Sequence, residues 1–508
     1  MKHIIITGFF LLSISVANAQ EDEQIKLPSK KDIEEAEALL QEGKYQEALE
    51  NYRDILFSFP ENAFLNYKTG YCYLQIPKLK KEAIAYLEKA VENITTFEDP
   101  LGDDKINSKF KVYQSLAKAY QLNNRFNDAI AFYDSLKNKF SLNNDNREQI
   151  NKSINNCRNG LTLIQNPVEI SIENIGLTLN SEFNELNPVI SADEKVLIFA
   201  SDRNSEDFSK NLKERNVDIF LSEKKGNTWS RPAEIETFNT KEFETITGIS
   251  VDGQKAFIYR DKKNKGDGNI YMSTLDGDKW TEPEELGKTV NSKHNETHAS
   301  ISADERTLYF SSNRKDSYGG LDIYKVKKLP NGEWGLAINL GPQINTPYDE
   351  DSPFIHPDGK TLYFSSKGHK NMGGFDIFYS IMKQDETWTI PENIGFPINT
   401  TDDDIYYMPT AKGNFAYYAS SKPGGLGKSD IYLMELPESE KKALTVISGK
   451  VKLAYGILPE DVIITVKDAE KNEIIGIYTP NAITGKFVFV LTPGRKYSVF
   501  YEASEHNT

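Results

Sequence analysis

The feature that most limits how this chain can fold is one hairpin written five times. SADEKVLIFAS begins at Ser191, SVDGQKAFIYR at Ser250, SADERTLYFSS at Ser302, HPDGKTLYFSS at His356 and TAKGNFAYYAS at Thr410. A tripeptide of acid or amide, isoleucine and aromatic follows each: Asp218-Ile219-Phe220, Asn269-Ile270-Tyr271, Asp322-Ile323-Tyr324, Asp376-Ile377-Phe378 and Asp430-Ile431-Tyr432. Successive tripeptides lie 51 to 54 residues apart, and all four tryptophans, Trp229, Trp280, Trp334 and Trp388, occupy one repeat position. Apolar and polar residues alternate within each copy, while Gly, Asp and Asn punctuate the turns. Each copy therefore predicts several short antiparallel strands.

A sheet of this size cannot bury both faces alone, so the copies must pack on one another. The hairpin resembles that of the TolB-type, WD-like propeller repeat, which implies one four-stranded blade per copy around a central channel. The reading is five blades over residues 168–437, with six as the alternative. The links PAEIETFNT, PEELGKTVNS, AINLGPQINT and PENIGFPINT precede hairpins, and ISIENIGLTLNS at 170–181 matches them although no copy precedes it. The strand near Val168 to Asn174 is accordingly expected to join the last blade, after Asp430 to Glu435, removing the open sheet edge.

Residues 29–165 have helical spacing. Ala36, Leu39, Gly43, Tyr45, Ala48, Tyr52, Leu56 and Pro60 form a series that recurs at Gly70, Tyr73, Leu79, Ala83, Leu87 and Ala90. It recurs again at Ala117, Tyr120, Phe126, Ala129, Tyr133 and Leu136. This series resembles the tetratricopeptide repeat, in which small residues let antiparallel helices approach and aromatics fill the gap. Asp145 to Ile164 reads as a closing helix. The stack implies either a concave surface for a peptide or partner helix, or a rigid spacer.

Before it, Lys2 and His3 lead into IIITGFFLLSISV and Ala17-Asn18-Ala19, the pattern of a secretory signal peptide (residues 1–19) cleaved after Ala19. This implies export, with the periplasm and outer-membrane association as the expected location. No cysteine follows the apolar run, which argues against a lipid anchor there. Cys72 and Cys157 could form a bridge or remain buried free thiols. The formal charge of −15, from 75 acidic against 60 basic residues, leaves no basic stripe for nucleic acid. No later segment is apolar enough for a transmembrane helix.

Within the repeats an acid stands before the first hairpin strand of every copy: Glu185, Glu244, Glu296, Glu350 and Asp404. A base stands after the second strand: Arg203, Lys262, Arg314 and Lys422, with Lys367 one position early. Antiparallel pairing puts both columns on one face of the disc. They imply either a charged channel mouth that binds a cation, a basic peptide or a sugar, or acid-base pairs that fix how neighbouring blades meet. His294 and His298 flank Glu296 in HNETH, but a zinc HExxH needs a helix and this segment precedes a strand. Asp349-Glu350-Asp351 and Asp402-Asp403-Asp404 lack calcium-loop spacing and read as solvated loops. No nucleophile elbow or phosphate-cradling glycine loop occurs, so neither a catalytic residue nor a metal or cofactor ligand is assigned, and no enzymatic activity is expected.

Residues 445–508 alternate like a small antiparallel sandwich. Gly449, Val466-Lys467-Asp468, Gly485-Lys486-Phe487 and Pro493-Gly494 resemble the transthyretin-like, carboxypeptidase-regulatory-like module, here read as incomplete. The order of the four parts resembles the OmpA-family envelope proteins of Bacteroidetes-type bacteria, including the PorE-like component of type IX secretion and gliding. That resemblance implies a scaffold contacting envelope proteins, among them a PorP/SprF-like outer-membrane barrel. The family's C-terminal peptidoglycan-gripping domain has no matching residues here, so cell-wall binding is not carried over. The alternatives are a propeller that binds or hydrolyses a glycan or peptide, and a TolB-like adaptor of an energy-transducing complex.

Overall fold

The computed structural model describes residues 28–99, 105–203, 217–261, 267–422, 424–437, 444–452 and 462–503. The segment read as a signal peptide lies outside them, as does Lys262.

Seven helices come first: α1 (Lys30–Gln41), α2 (Tyr45–Ser58), α3 (Ala63–Gln75), α4 (Ala83–Glu92), α5 (Lys105–Leu122), α6 (Phe126–Lys139) and α7 (Asn144–Gln165). They pack as antiparallel neighbours in chain order. The small residues of the repeat series sit where helices touch: Ala36, Ala48, Ala83, Ala90, Ala117 and Ala129 are fully buried. At Gly70 a Cβ would lie 2.6 Å from the Leu87 side chain, so the α3/α4 crossing requires glycine. Asn62 and Asn143 cap α3 and α7 by accepting the N–H groups of Leu65 and Asn146. Cys72 and Cys157 are buried free thiols, each pushed up to about 12 by burial. No helix among the described residues is long and apolar enough to cross a membrane.

The β-rich region that follows holds five antiparallel sheets of four or five strands. Each of the first four is built outward from an inner strand, Glu185–Ile190, Phe243–Ile249, Glu296–Ile301 or Glu350–Ile355. The second hairpin strand and the strand carrying the Asp/Asn-Ile-aromatic tripeptide follow, then a short edge beyond. The fifth sheet runs Met408–Pro409, Phe415–Ser420, Asp430–Glu435 and then back to Ser171–Asn174, which pairs antiparallel with register Ser171 to Glu435 and Asn174 to Tyr432. The first strand of the region thus supplies the outer edge of the last sheet.

One asparagine per link explains why those links recur. Asn239, Asn291, Asn345 and Asn399 each bond both main-chain groups of the tripeptide isoleucine in their own repeat: Ile219, Ile270, Ile323 and Ile377. Asn180 does the same for Ile431 across the closure, donating to its carbonyl at 2.9 Å and accepting its N–H at 2.8 Å. The side-chain amide acts as a one-residue extension of the sheet edge and satisfies buried groups that would otherwise be orphaned.

Thr445–Lys450 pairs with Lys486–Leu491, and Ile463–Asp468 pairs with both Glu473–Tyr478 and Tyr497–Glu502. The two small sheets enclose Ile464, Val466, Phe487 and Phe489. The hairpin-turn residues Ala192, Val251, Ala303 and Ala411 of four sheets pack with Val446, Val488 and Val490. This C-terminal unit therefore lies over one end of the ring of sheets.

Candidate functional site

The acid column occupies the end of the ring opposite those turns, and each acid sits inside its sheet instead of lining an open mouth. Glu185, Glu244, Glu296 and Glu350 are fully buried. Glu296 accepts the Ser292 N–H at 2.9 Å, the Ser292 hydroxyl at 2.7 Å and the Ser312 hydroxyl at 2.7 Å, with Arg314 Nη2 at 3.4 Å. Glu185 repeats this with Ser181, Ser201 and Arg203, whose Nη2 lies at 2.9 Å. The arrangement closes a tight link onto the end of a hairpin, and the carboxylate oxygens are taken up by it.

The bases depart from the sequence-derived column. In the second sheet the partner of Glu244 is Arg260, at 3.1 Å, two residues before the Lys262 position. Lys367 pairs with Asp349 at 3.0 Å and not with Glu350. In the fourth sheet His369 stands where the first three sheets have arginine: its Nε2 meets the Ile344 carbonyl at 2.8 Å, matching the bonds from Arg260 to Phe238 and from Arg314 to Val290. Lys422 lies 5.1 Å from the centre of the Tyr418 ring. Burial raises Glu350 to about 7 and Asp404 well above the usual carboxylate range, and it raises Glu244 to about 7 even beside Arg260. Of the residues read from sequence as solvated loops, Glu350 is buried and Asp351 half-buried. Asp351 accepts from Thr297 Oγ1 at 2.6 Å and meets His298 Nδ1 at 2.8 Å beside the narrow central channel. Among the described residues no group of three or more His, Cys, Asp or Glu side chains converges as for a metal ion.

The more open site joins the two halves of the molecule, and sequence reasoning did not find it. Helices α3, α5 and α7 present their concave face to the rim loops of the fourth and fifth sheets. Three amides on that face hold three consecutive carbonyls of one rim loop: Asn159 donates to Asn371 at 2.9 Å, Gln121 to Met372 at 3.3 Å and Asn156 to Gly373 at 3.1 Å. The Met372 side chain is fully buried in the helical core. A Cβ at Gly373 would lie 2.3 Å from the Thr401 carbonyl oxygen, so the loop can approach its neighbour only with glycine there. Lys80 pairs with Asp402, Lys78 donates to the carbonyls of Gly425 and Gly427, and the Thr401 hydroxyl donates to the Leu122 carbonyl at 3.1 Å. The concave face thus already holds the main chain of a bent loop, supplied by its own chain. Beside that loop remains a cavity of about 580 Å³ lined by both halves.

A tetratricopeptide-repeat family model matches residues 33–96. Among solved structures, the TPR-like repeats of a Podosopora anserina kinesin light chain protein align at 16% identity over 27% of this chain and 67% of that one, with a TM-score of 0.22. An α-L-arabinofuranosidase from Lactobacillus brevis aligns at 13% identity over 52% of this chain and 92% of that one, with a TM-score of 0.35. A prolyl endopeptidase aligns at 10% identity over 68% and 48%, with a TM-score of 0.28. No curated protein matches the chain. The N-terminal part is a tetratricopeptide-like helical region, followed by a large β-rich region.

Proposed function

We propose that this chain is a non-enzymatic scaffold of a bacterial cell envelope that works by holding protein segments against the junction of its helical and β-rich halves. The observation that carries this reading is the grip of Asn159, Gln121 and Asn156 on three successive carbonyls, because it shows a concave face built to hold main-chain groups. Within this reading the β-rich region is a five-bladed TolB-type propeller closed by residues 171–174, and the C-terminal sheets are a carboxypeptidase-regulatory-like sandwich. The signal-peptide pattern supports export to the periplasm. The module order supports an OmpA-family, type IX secretion or gliding role beside an outer-membrane barrel. Hydrolysis of a glycan would need carboxylates free in the channel, whereas the acids of the ring column are engaged by hydroxyls, amides or arginines.

The test is site-specific photo-crosslinking in the native envelope from a probe placed at Gln149, on the cavity wall. Crosslinks to envelope proteins, an outer-membrane barrel among them, are expected. Crosslinks to the chain itself alone would overturn the scaffold reading.

A further inference from the structure

The cavity beside the gripped loop has a chemical character of its own. Gln114 and Lys118 on α5, and Gln149 and Lys152 on α7, recur at helical spacing and form its floor, while Gly374 and Asp402 belong to its rim-loop wall. Three lysines reach it. Lys80 is neutralised by Asp402. Among the described residues Lys118 and Lys152 have no carboxylate within ion-pairing distance, and the Lys152 ammonium lies 3.2 Å from the centre of the Tyr348 ring. The acids nearby are engaged: Asp403 accepts the Phe375 N–H at 2.9 Å, Asp349 pairs with Lys367, and Glu350 is enclosed by Thr346 and Ser366. Burial pulls both lysines down, Lys152 to about 8, outweighing the opposing pull of Asp402 and Asp403 on Lys118 and of Asp349 and Glu350 on Lys152, none of which makes a direct ion pair with them.

We infer that this cavity binds a carboxylate carried on an extended peptide, with Lys118 and Lys152 receiving the charge and the amides of α5 and α7 receiving the backbone. The inference rests on the scaffold reading and adds the ligand's chemistry to it. Three lysines against two aspartates leave one net positive charge on the lining, which suits a singly charged carboxylate better than a phosphate carrying nearly two negative charges. The same two helices hold carbonyls of the neighbouring loop through Gln121, Asn156 and Asn159, and Gln114 and Gln149 offer amides of the same kind to a peptide in the cavity.

Calorimetric titration of the full chain with three N-acetylated Gly/Ser heptapeptides tests this. One carries a central glutamate and a C-terminal amide, one a glutamine and an amide, and one a glutamine and a free C-terminal carboxylate. Binding by the first assigns a side-chain carboxylate, and binding by the third a chain end. The neutral peptide should bind at least about ten-fold more weakly, the weight of one charge-assisted hydrogen bond. Lys118→Gln and Lys152→Gln should each produce a similar loss, with Lys118→Arg restoring it and unchanged melting showing intact folds. Affinity should fall between pH 7 and pH 9 in the parent and less so in Lys152→Gln.

Equal binding of the neutral peptide, indifference to both lysine substitutions, or binding of inorganic phosphate where the carboxylate peptides give none would overturn the inference. So would the absence of heat from all three peptides. Crosslinks at Gln149 that persist in the Lys118→Gln, Lys152→Gln double variant would leave the scaffold reading standing without the carboxylate.

Discussion

The side-chain amide of Gln121, on the concave face of the helices, donates to the main-chain carbonyl of Met372, 251 positions away on a rim loop of the fourth sheet. The Gln121 carbonyl in turn accepts the Tyr133 hydroxyl at 3.1 Å, which fixes its orientation. Helices and sheets are therefore joined by oriented polar contacts around one buried methionine.

Met372→Ala should uncouple the halves. Removing a fully buried methionine costs about 2–4 kcal/mol when the site cannot collapse. The expected result is a lower urea midpoint, together with faster proteolysis between residues 165 and 171, while circular dichroism retains the helical signal.

Asn345→Ala should strip the Ile323 N–H and carbonyl of their buried partners and cost roughly 2–4 kcal/mol. Asn180→Ala removes the same pair of bonds at Ile431, where the chain's first strand meets its last sheet. Hydrogen exchange should then rise across 430–435 and 171–174 together, while Asn345→Ala raises it within the third sheet only.

Arg314→Ala leaves the Glu296 carboxylate buried with hydroxyl and amide donors alone, and should destabilise the protein by about 3 kcal/mol in denaturant melts. Peptide binding at the helical groove should remain unchanged, because Arg314 bonds Ser312, Thr289, Val290 and Glu296, none of which lines the cavity.

Stability should fall as pH rises from about 4.5 to about 7. The folded Glu350 carboxyl keeps its proton up to about 7, against an ordinary value of 4.5, so over that interval the folded state binds more protons than the unfolded one. Below the interval both states are protonated, and above it both are ionised with the burial cost fully expressed. Glu350→Gln should flatten the slope of melting temperature between pH 5 and pH 8 without abolishing it, because Glu244 and Asp376 are also raised to about 7 by burial.

The repeats were legible because their residues answer to local rules. Alternation sets strands, turn residues set hairpins, and small residues at Ala36, Ala83 and Ala117 mark helix crossings wherever the helices lie. Even the closing strand was legible, since ISIENIGLTLNS carries the link asparagine, Asn180, whose partner Ile431 had to come from another repeat. The acid column was readable for the same reason, and so were its partners Arg203 and Arg314, but the others were not. Arg260 lies two residues off the expected register and His369 is a different residue type, and only the folded loops bring either to its target.

Sequence by itself determined the repeating units, their order and their inner hydrogen-bond grammar, because each depends on contacts within one copy or with the next. Tertiary structure alone decided that Asn159, Gln121 and Asn156 would close on the loop at 371–373, and that the acids near Lys118 and Lys152 would be engaged elsewhere. Those outcomes depend on how two rigid bodies meet, and no periodicity in either body encodes the angle or the face at which they do.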